Sequence, residues 1–393
     1  MIINNVEKQR EIIYNYYRIF VLVRENKMRI FHINCNYVGN ALHQIMVESL
    51  EKLGYENQIY VPVYSKDVSV IKPNENVCVS ECFRKWVRLI FDYKQKKIYN
   101  DIESKFSVAE YDCIHAYTLF TDGNCARKLS KKYGVPYVVA VRNTDVNSFF
   151  RLMPHLRKRG IKTMLNATAV FFLSEAYRKQ VFDKYVPEKY KEEILKKTYI
   201  IPNGIDDFWL NNSCRCEKEL NKTIKLIYAG RIDKNKNIPT TQKAMDILQK
   251  EGYEVSLTVV GRIDDKSEYE MIMQNRNTVH IPNQKKEELI KLYRDHDVFV
   301  MPSFTESFGL VYAEAMSQGL PVVYSVGQGF DKQFPNGKVG YSIDAHSPES
   351  VAEGIKNVIH NYCSIRKNVT DCAKKFKWSE IALEYDDIYK RIK

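Results

Sequence analysis

Residues 298–323 read VFVMPSFTESFGLVYAEAMSQGLPVV and contain one complete strand–helix–strand unit. The apolar run 298–301 predicts a buried strand, and a helical pattern follows at 310–318. Gly319 ends that helix, and the apolar run 322–325 predicts the next strand. Two apolar strands joined by a helix are typical of a parallel sheet that is covered by helices.

The same alternation continues on both sides of this unit. Strands are predicted at 28–34, 58–63, 113–116, 137–141, 169–173, 199–201, 225–228 and 255–260, and helices at 42–53, 239–251, 286–295 and 379–392. The sequence Gly230-Arg-Ile-Asp233 recurs as Gly261-Arg-Ile-Asp264, and both copies are expected at strand carboxyl ends. Open parallel sheets bind ligands at that edge. The sequence therefore predicts an α/β fold with parallel sheets.

The length of the chain and its turn-forming residues predict how it divides into domains. With 393 residues and 45% hydrophobic content, the chain is long enough for two domains. Pro202-Asn203-Gly204 interrupts the alternation and a polar segment follows at 214–222, which predicts a hinge. The predicted parts are a basic, tyrosine-rich extension at 1–27, a Rossmann-like domain at 28–203, a second at 204–378, and an amphipathic terminal helix at 379–393.

Composition limits the partners and the compartment. The formal charge of +12 predicts an anionic partner, which is a nucleic acid, a phosphorylated substrate or a membrane surface. The nine cysteines have no paired metal-ligand spacing, so they are expected to be free thiols and no metal site is predicted. The sequence shows no long apolar run and no cleavable signal pattern, so the chain is expected to stay in the cytoplasm.

The loop between strand 298–301 and the helix after it predicts an anion site. Backbone N–H groups at the start of a helix have no partner inside the helix, and here they belong to Ser307, Phe308, Gly309 and Leu310. Gly309 allows the backbone to approach phosphate oxygens closely. Glu314, one turn inside the helix, is suited to accept hydrogen bonds from ribose hydroxyls, and Glu306 would then face a sugar. The alternative is a capped helix with an incidental exposed glutamate.

Two cations follow the strand at 225–228. Arg231 and Lys236 lie just after Gly230, at the same predicted edge of the sheet as the anion loop. Breaking a sugar–phosphate bond leaves negative charge on the diphosphate, and fixed cations stabilise that charge without a metal. A solvated cationic loop is the alternative interpretation.

Together these motifs resemble glycosyltransferase family 4, whose members have the GT-B fold of two facing Rossmann-like domains with a cleft between them. The resemblance spans about Met28 to Lys393. It is carried by Ile201-Pro-Asn-Gly-Ile-Asp206, Gly230-Arg-Ile with Lys236, Val260-Gly261, Asp297-Val-Phe-Val-Met-Pro-Ser303, the spacing of Glu306 and Glu314, and Gly319-Leu-Pro-Val-Val323.

The resemblance implies a retaining transferase that uses a UDP or GDP sugar and needs no metal cofactor. By the same resemblance Arg231 and Lys236 bind the donor diphosphate, Glu306 contacts the transferred sugar and Glu314 the ribose. The residues predicted to bind the donor are Gly39, Asn203, Gly230, Arg231, Lys236, Gly261, Ile281, Glu306, Ser307, Phe308, Gly309, Leu310 and Glu314. The terminal helix is expected to pack back on the first domain.

The implied pathway is bacterial surface-glycan synthesis. The expected acceptor is a glycan or a lipid-linked sugar in the synthesis of capsule, exopolysaccharide or O-antigen lipopolysaccharide. Peripheral contact with the anionic cytoplasmic face of the inner membrane is expected as well, and binding to nucleic acid is not.

The chain departs from the family pattern at several positions. Arg142 stands where many relatives carry a histidine that faces the reaction centre; it is predicted to bind an oxyanion, and Asp145 to orient an acceptor hydroxyl. The segment 325–331 replaces a common Gly-Gly-x-x-Glu pattern, and Asn237 replaces the usual glycine after the lysine. Asp295-His-Asp297 is similar to a metal-binding motif of another glycosyltransferase fold, but it is interpreted as the end of a helix and the start of a strand.

An amphipathic pattern is present at 83–91. Phe83, Trp86, Val87, Ile90 and Phe91 have helical spacing and are flanked by basic residues. A helix of this kind fits an anionic membrane surface, and the alternative is a helix that buries its apolar face in the first domain.

Two other functions stay open at this point. A GT-B-fold nucleotide-sugar epimerase would share the anion loop, but it needs acid and base groups, and Arg142 in place of histidine argues against it. A basic nucleic-acid-binding protein would use the charge, but no nucleic-acid module is recognised in the sequence.

Overall fold

The computed structural model describes residues 27–38, 41–65, 75–215 and 218–392. These residues form two parallel sheets with helices between most successive strands. The α/β fold class predicted from the sequence is therefore confirmed.

The first sheet has seven strands in the order β3-β2-β1-β4-β5-β6-β7. Its strands are β1 Arg29–Ile33, β2 Glu56–Val63, β3 Val77–Glu81, β4 Cys113–Ala116, β5 Tyr137–Val141, β6 Ala169–Phe172 and β7 Thr198–Ile200. Its helices are α1 Leu42–Lys52, α2 Phe91–Lys105, α3 Asp122–Tyr133, α4 Arg157–Asn166, α5 Glu175–Lys184 and α6 Glu188–Leu195.

The second sheet has six strands in the order β10-β9-β8-β11-β12-β13. Its strands are β8 Thr223–Ala229, β9 Glu254–Val260, β10 Thr278–Ile281, β11 Val298–Met301, β12 Val322–Ser325 and β13 Gly340–Ile343. The remaining helices are α7 Asp207–Asn211, α8 Ile238–Lys250, α9 Lys266–Ile272, α10 Lys286–Asp295, α11 Leu310–Ser317, α12 Pro348–His360, α13 Tyr362–Ala373 and α14 Trp378–Ile392.

Strand composition follows from burial on both faces. Every residue of β5 and β11 is buried, so neither strand alternates polar and apolar residues. Strands β8 and β11 are parallel neighbours in the middle of the second sheet, with Val298 opposite Leu226. Their carboxyl ends therefore open at the same edge of the sheet, and the loops after them form the candidate site.

The chain forms two compact units. One comprises the described residues up to Tyr117 together with Thr121–Val139 and the end of the chain from Asp386, and the other comprises Thr118–Phe120 and Ala140–Tyr385. The predicted division of the chain at residue 203 stays a prediction, and the predicted extension at 1–27 lies outside the described residues except for Lys27.

The terminal helix α14 has the predicted apolar face. Its buried residues are Ile381, Ala382, Tyr385, Ile388 and Tyr389. Within the first unit, the Tyr55 hydroxyl donates to Asp386 Oδ1 at 2.6 Å, and the Tyr389 hydroxyl lies 2.5 Å from His115 Nδ1. None of the helices in the described part of the chain is long and apolar enough to span a bilayer.

Two local expectations are corrected by the structure. The continuous helix predicted at 83–91 is wrong, because Lys85–Leu89 forms a 3-10 turn and α2 begins only at Phe91. Ile90, between the two, has extended backbone angles, which break the helical repeat. Cys214 is disulfide-bonded, which corrects the expectation of free thiols at that position.

Candidate functional site

The repeated Gly-Arg-Ile-Asp segments lie side by side at the carboxyl ends of β8 and β9, as predicted. Ile232 and Ile263 form an isolated parallel bridge, and Ile232 N donates to Arg262 O at 2.8 Å. A Cβ on Gly261 would lie only 1.8 Å from Gly230 O, so glycine is required where the two segments meet. This contact fixes the start of the loop that carries Arg231 and Lys236.

Lys236 reaches the loop after β11. A 3-10 turn at Lys234–Lys236 is capped by Asp233, whose Oδ1 accepts from Lys236 N at 3.2 Å. The Lys236 ammonium then lies 2.6 Å from Glu306 Oε2, and each side chain is 13% exposed. The structure thus brings together two residues that the sequence assigned to the diphosphate and to the sugar.

Arg231 points in another direction. Its guanidinium is 59% exposed and lies 3.4 Å from Asp264 and 3.7 Å from Asp233. Asp264 is shared with Arg262, whose Nε lies 2.6 Å from Oδ1. The arrangement is a small surface network at the same edge of the sheet, and contact between Arg231 and a diphosphate stays a prediction.

The Glu306 backbone is held on both sides. Its N–H donates to Gln328 Oε1 at 2.9 Å, and its carbonyl accepts from Gly329 N at 3.1 Å and from the Tyr177 hydroxyl at 2.6 Å. A Cβ on Gly329 would lie 2.0 Å from Ser307 O, so the two loops touch backbone to backbone. The segment that departs from the family pattern therefore braces the Glu306 loop.

The turn into helix α11 places several backbone amides at the start of the helix, and an anion site there stays a prediction. Gly309 has a positive φ of 77°, and a Cβ there would lie 2.5 Å from the Tyr312 ring. The helix begins at Leu310, so the amides of Phe308, Gly309 and Leu310 precede its first internal hydrogen bond. Ser307 is a correction, because its N–H donates to the Glu306 carboxylate at 3.0 Å and is not free.

Asn235 and Asn237 fix the loops around this turn. The Asn235 side chain bonds both backbone groups of Thr305, accepting from its N–H at 3.0 Å and donating to its carbonyl at 2.8 Å. Asn237 has a left-handed backbone with φ 56°, which explains why a glycine suits this position and why asparagine can replace it. Its amide donates to Pro302 O and Ala345 O, which lie after β11 and β13.

Glu314 lies on α11 beyond the turn. Burial raises the pKa of its carboxyl to about 7, while Lys286 lowers that pKa and Asp206 raises it. Lys286 and Asp206 form an ion pair at 2.5 Å. The Glu314 carboxyl therefore titrates near neutral pH, and hydrogen bonds from hydroxyl groups would favour its ionised form.

Arg142 and Asp145, which follow β5, are both buried. The Arg142 guanidinium donates to Asn203 Oδ1 at 2.7 Å. Asp145 is fully buried and accepts from the backbone N–H groups of Arg142, Leu119 and Phe120 at 2.8, 3.0 and 3.2 Å. Burial raises its pKa to about 6, against the effect of those N–H groups. In the structure Asp145 positions backbone, and its burial does not support contact with an acceptor hydroxyl.

The other predicted residues are placed as follows. Ile281 ends β10, and its carbonyl accepts from Gly261 N at 3.0 Å, at the same edge of the sheet. Gly39 lies outside the described residues. Asp295 ends α10 and pairs with Lys225, whereas Asp297 is buried, pairs with Lys218 and precedes β11, as the interpretation of that motif predicted.

Comparison with known proteins finds a family match in the second half of the chain. Residues 215–376 match the family "Glycosyl transferases group 1". A D-inositol 3-phosphate glycosyltransferase of Paenarthrobacter aurescens is 26% identical over 63% of this chain and 64% of its own length. The capsular polysaccharide biosynthesis glycosyltransferase CapM of Staphylococcus aureus is 29% identical over 54% of this chain and 57% of its own length. The chain thus spans somewhat under two thirds of these relatives.

The fold extends beyond the matched segment. The Anabaena protein HepE, solved with UDP and glucose, superposes with a TM-score of 0.65 at 15% identity and covers 93% of this chain and 100% of its own. At this low identity the superposition shows the fold alone. That fold agrees with the predicted GT-B architecture. The match of residues 215–376 to the glycosyl transferases group 1 family agrees with the resemblance to a glycosyltransferase family seen in the sequence.

Proposed function

We propose that this chain is a retaining glycosyltransferase that moves a sugar from a nucleoside diphosphate sugar, with UDP or GDP as the nucleotide, to a glycan or lipid-linked acceptor. The observation that carries the proposal is the Lys236–Glu306 pair at 2.6 Å, which lies directly before the amides that open α11. A cation, a carboxylate and helix-start amides at one sheet edge suit a ligand that combines a diphosphate and a sugar.

The proposed chemistry depends on where charge develops. The acceptor hydroxyl oxygen bonds to the anomeric carbon as the bond from that carbon to the phosphate oxygen breaks, and the hydroxyl proton leaves with the phosphate. The leaving diphosphate gains negative charge in this step, and the Lys236 ammonium and the amides near Gly309 stabilise it. Glu306 is then shared between Lys236 and the sugar hydroxyls, and Glu314 accepts from the ribose. Arg231 leaves Asp264 to join the diphosphate. No metal cofactor is included in this proposal.

The proposed pathway is the synthesis of a bacterial capsule, exopolysaccharide or O-antigen. Support comes from the likeness to CapM, whose name states a role in capsular polysaccharide biosynthesis. Support for UDP as the nucleotide comes from HepE, which was solved with UDP and glucose.

An exposed patch in the first unit supports peripheral contact with the cytoplasmic face of an anionic membrane. The patch consists of Tyr64, Trp86, Leu89, Ile90 and Tyr93, which are all exposed, Leu89 by 88%. Phe83 and Val87, from the same sequence pattern, are buried instead. The pattern therefore contributes both to the core and to the surface.

Cations surround this patch. Arg84, Lys85 and Arg88 are exposed, and the Arg88 guanidinium lies 5.2 Å from the centre of the Tyr64 ring. Aromatic and aliphatic side chains among lysines and arginines are typical of surfaces that insert into the interface of an anionic bilayer.

A donor screen tests the enzymatic proposal. The purified chain is incubated with UDP-glucose, UDP-galactose, UDP-N-acetylglucosamine or GDP-mannose, and release of free nucleotide is measured with and without EDTA. We expect one nucleotide series to be cleaved, EDTA to have no effect, and NMR of the transferred sugar to show the anomeric configuration of the donor. Glu306→Ala should abolish release and the exposed Glu353→Ala should not. Cleavage that requires added manganese would overturn the metal-free proposal.

Vesicle flotation tests the membrane proposal. Binding is compared for vesicles of phosphatidylcholine with and without phosphatidylglycerol. Trp86→Ala combined with Leu89→Ser should reduce binding to the anionic vesicles by about tenfold or more, since two apolar side chains are lost from the interface. Leu195→Ser, which removes another exposed leucine, is the matched control. Equal binding by both variants would refute a role for this patch.

A further inference from the structure

A chain of hydrogen bonds reaches the Glu306–Ser307 peptide from residues that no sequence motif marks. Asn143 Nδ2 donates to Ser307 Oγ at 2.8 Å, and the Asn147 amide donates in turn to Asn143 Oδ1. The Tyr177 hydroxyl donates to Glu306 O at 2.6 Å and also interacts with Asn147. All of these residues belong to the second unit.

Each residue in this series of hydrogen bonds is held in place by its neighbours. Tyr177 is 1% exposed and lies in the first turn of α5, where the Ser174 side chain caps the helix by accepting from Tyr177 N at 3.2 Å. Asn147 lies in the π-helix Asp145–Phe150 and Asn143 just before it, and the buried Asp145 anchors this segment through three backbone N–H groups. Rigid donors of this kind can hold a loop in one conformation.

These contacts act on one end of the candidate site. They reach the peptide that carries the Glu306 carboxylate and the Ser307 hydroxyl. Glu314 lies further along, on α11, and Arg231 lies in the loop after β8, and each has other partners. Under the proposed function, Glu306 contacts the sugar and Glu314 the ribose. A change in the position of the Glu306–Ser307 peptide should therefore impair recognition of the sugar more than recognition of the nucleotide.

We propose that Tyr177 and Asn143 are positioning residues that hold Glu306 and Ser307 in the conformation that recognises the donor sugar. This inference rests on the proposed function and adds a source of sugar specificity outside the family motifs. Tyr177 acts through the Glu306 carbonyl, and Asn143 acts through the Ser307 hydroxyl.

The test separates sugar recognition from nucleotide recognition. For wild type and Tyr177→Phe, affinity for free UDP or GDP is measured by calorimetry, and kcat and KM are measured with the donor that the wild type cleaves. Tyr177→Phe keeps the ring and removes the hydroxyl with its contacts to Glu306 O and Asn147, so kcat/KM should fall by about five- to tenfold while nucleotide affinity is unchanged. Tyr185→Phe is the matched control, since Tyr185 follows the same helix and packs its ring on Phe150.

A double-mutant cycle tests the second contact. Asn143→Ala and Ser307→Ala should each lower kcat/KM, and the double variant should be no worse than the more damaged single variant, because both remove the same hydrogen bond. Thermal unfolding of every variant checks that the fold is kept. Additive losses from the two substitutions would overturn the role of Asn143.

The outcomes distinguish this inference from the proposed function. If the wild type binds nucleotide and cleaves a donor but Tyr177→Phe matches it, or if the variant loses nucleotide affinity and kcat/KM to the same extent, the positioning role is refuted and the proposed function stands. If the wild type binds neither a nucleotide nor a nucleotide sugar, the proposed function itself is refuted.

Discussion

The Lys236 ammonium donates to Glu306 Oε2 at 2.6 Å, and both side chains are mostly shielded from water. They come from loops after two neighbouring strands, β8 and β11, which are joined directly in the sheet. The Lys236 ammonium and the Glu306 carboxylate are paired with each other, so both side chains are held in place before a ligand binds. Under the proposed function, a diphosphate that enters this site would meet a cation that is already oriented.

Replacing Lys236 should therefore impair catalysis far more than folding. Lys236→Met keeps most of the side-chain volume and removes the charge, so kcat/KM for the donor should fall by about 100-fold or more. The free energy of unfolding should fall by only about 1–2 kcal/mol, because the Glu306 carboxylate loses one partner but keeps its hydrogen bond from Ser307 N–H. Lys234→Met, which removes an exposed cation from the same loop, is the control. Equal activity of both variants would contradict the role of Lys236.

Donor affinity should depend on the ionisation of Glu314. Its pKa is raised to about 7 in the folded chain, so the carboxyl is increasingly protonated below neutral pH. Hydroxyl groups of the ribose donate best to the ionised form, so affinity for a nucleotide sugar should rise between about pH 6 and pH 8. A nucleotide sugar is the suitable probe because it lacks a terminal phosphate, which titrates near pH 6.

Two substitutions check the origin of this pH dependence. Glu314→Gln should bind more weakly and show no inflection near neutrality. Lys286→Met removes the cation that lowers the pKa of Glu314, so the inflection should move to higher pH. The sign for stability is opposite to that for binding: because the folded pKa lies above 4.5, the free energy of unfolding should fall as pH rises from about 4.5 to 7.

The strands that bury both faces could be predicted from the sequence. The bounds of β4, β5, β11 and β12 agree with the apolar runs at 113–116, 137–141, 298–301 and 322–325. Strands β3, β10 and β13 were missed, because they contain polar or exposed residues such as Glu81 and Val279. Apolar periodicity does not mark such strands, and only pairing with a neighbour defines them.

The sequence indicates those residues of the candidate site that lie in a recognisable local motif. Gly309, Glu306 and Lys236 are recognisable because a turn, a helix start and a strand end fix their positions along the chain. Tyr177 could not be found in this way, since it reaches Glu306 from a distant part of the sequence. Gln328 lies in the segment 325–331, whose departure from the family pattern was visible, but its contact with Glu306 was not. The burial of Asp145 could not be predicted from residue spacing either, because it depends on the surrounding helices.

Gly261→Ala should be strongly destabilising. The new Cβ would lie 1.8 Å from Gly230 O, and φ at this position is positive at 148°. Because the obstacle is backbone rather than a flexible side chain, the cost in unfolding free energy should be about 3 kcal/mol or more. Chemical denaturation gives that value directly.

A matched glycine separates the two causes of that loss. Gly252 has a φ of 94°, and a Cβ added there would meet nothing within 4 Å, so Gly252→Ala should cost only about 1–2 kcal/mol from backbone strain. Similar losses at both positions would show that the contact between Gly261 and Gly230 is looser than the structure indicates.

Asn237 provides a graded test of how the loops around the site are tied together. Asn237→Gly keeps the left-handed backbone but leaves Pro302 O and Ala345 O without its amide, so unfolding free energy should fall by about 1–3 kcal/mol. Asn237→Ala loses the same bonds and adds backbone strain at φ 56°, so it should be less stable than the glycine variant by about 1 kcal/mol. Urea denaturation of the three proteins measures both steps. An alanine variant as stable as the glycine variant would mean that the left-handed conformation at Asn237 is not maintained in solution, and the physical reason for asparagine in this position would then be its hydrogen bonds alone.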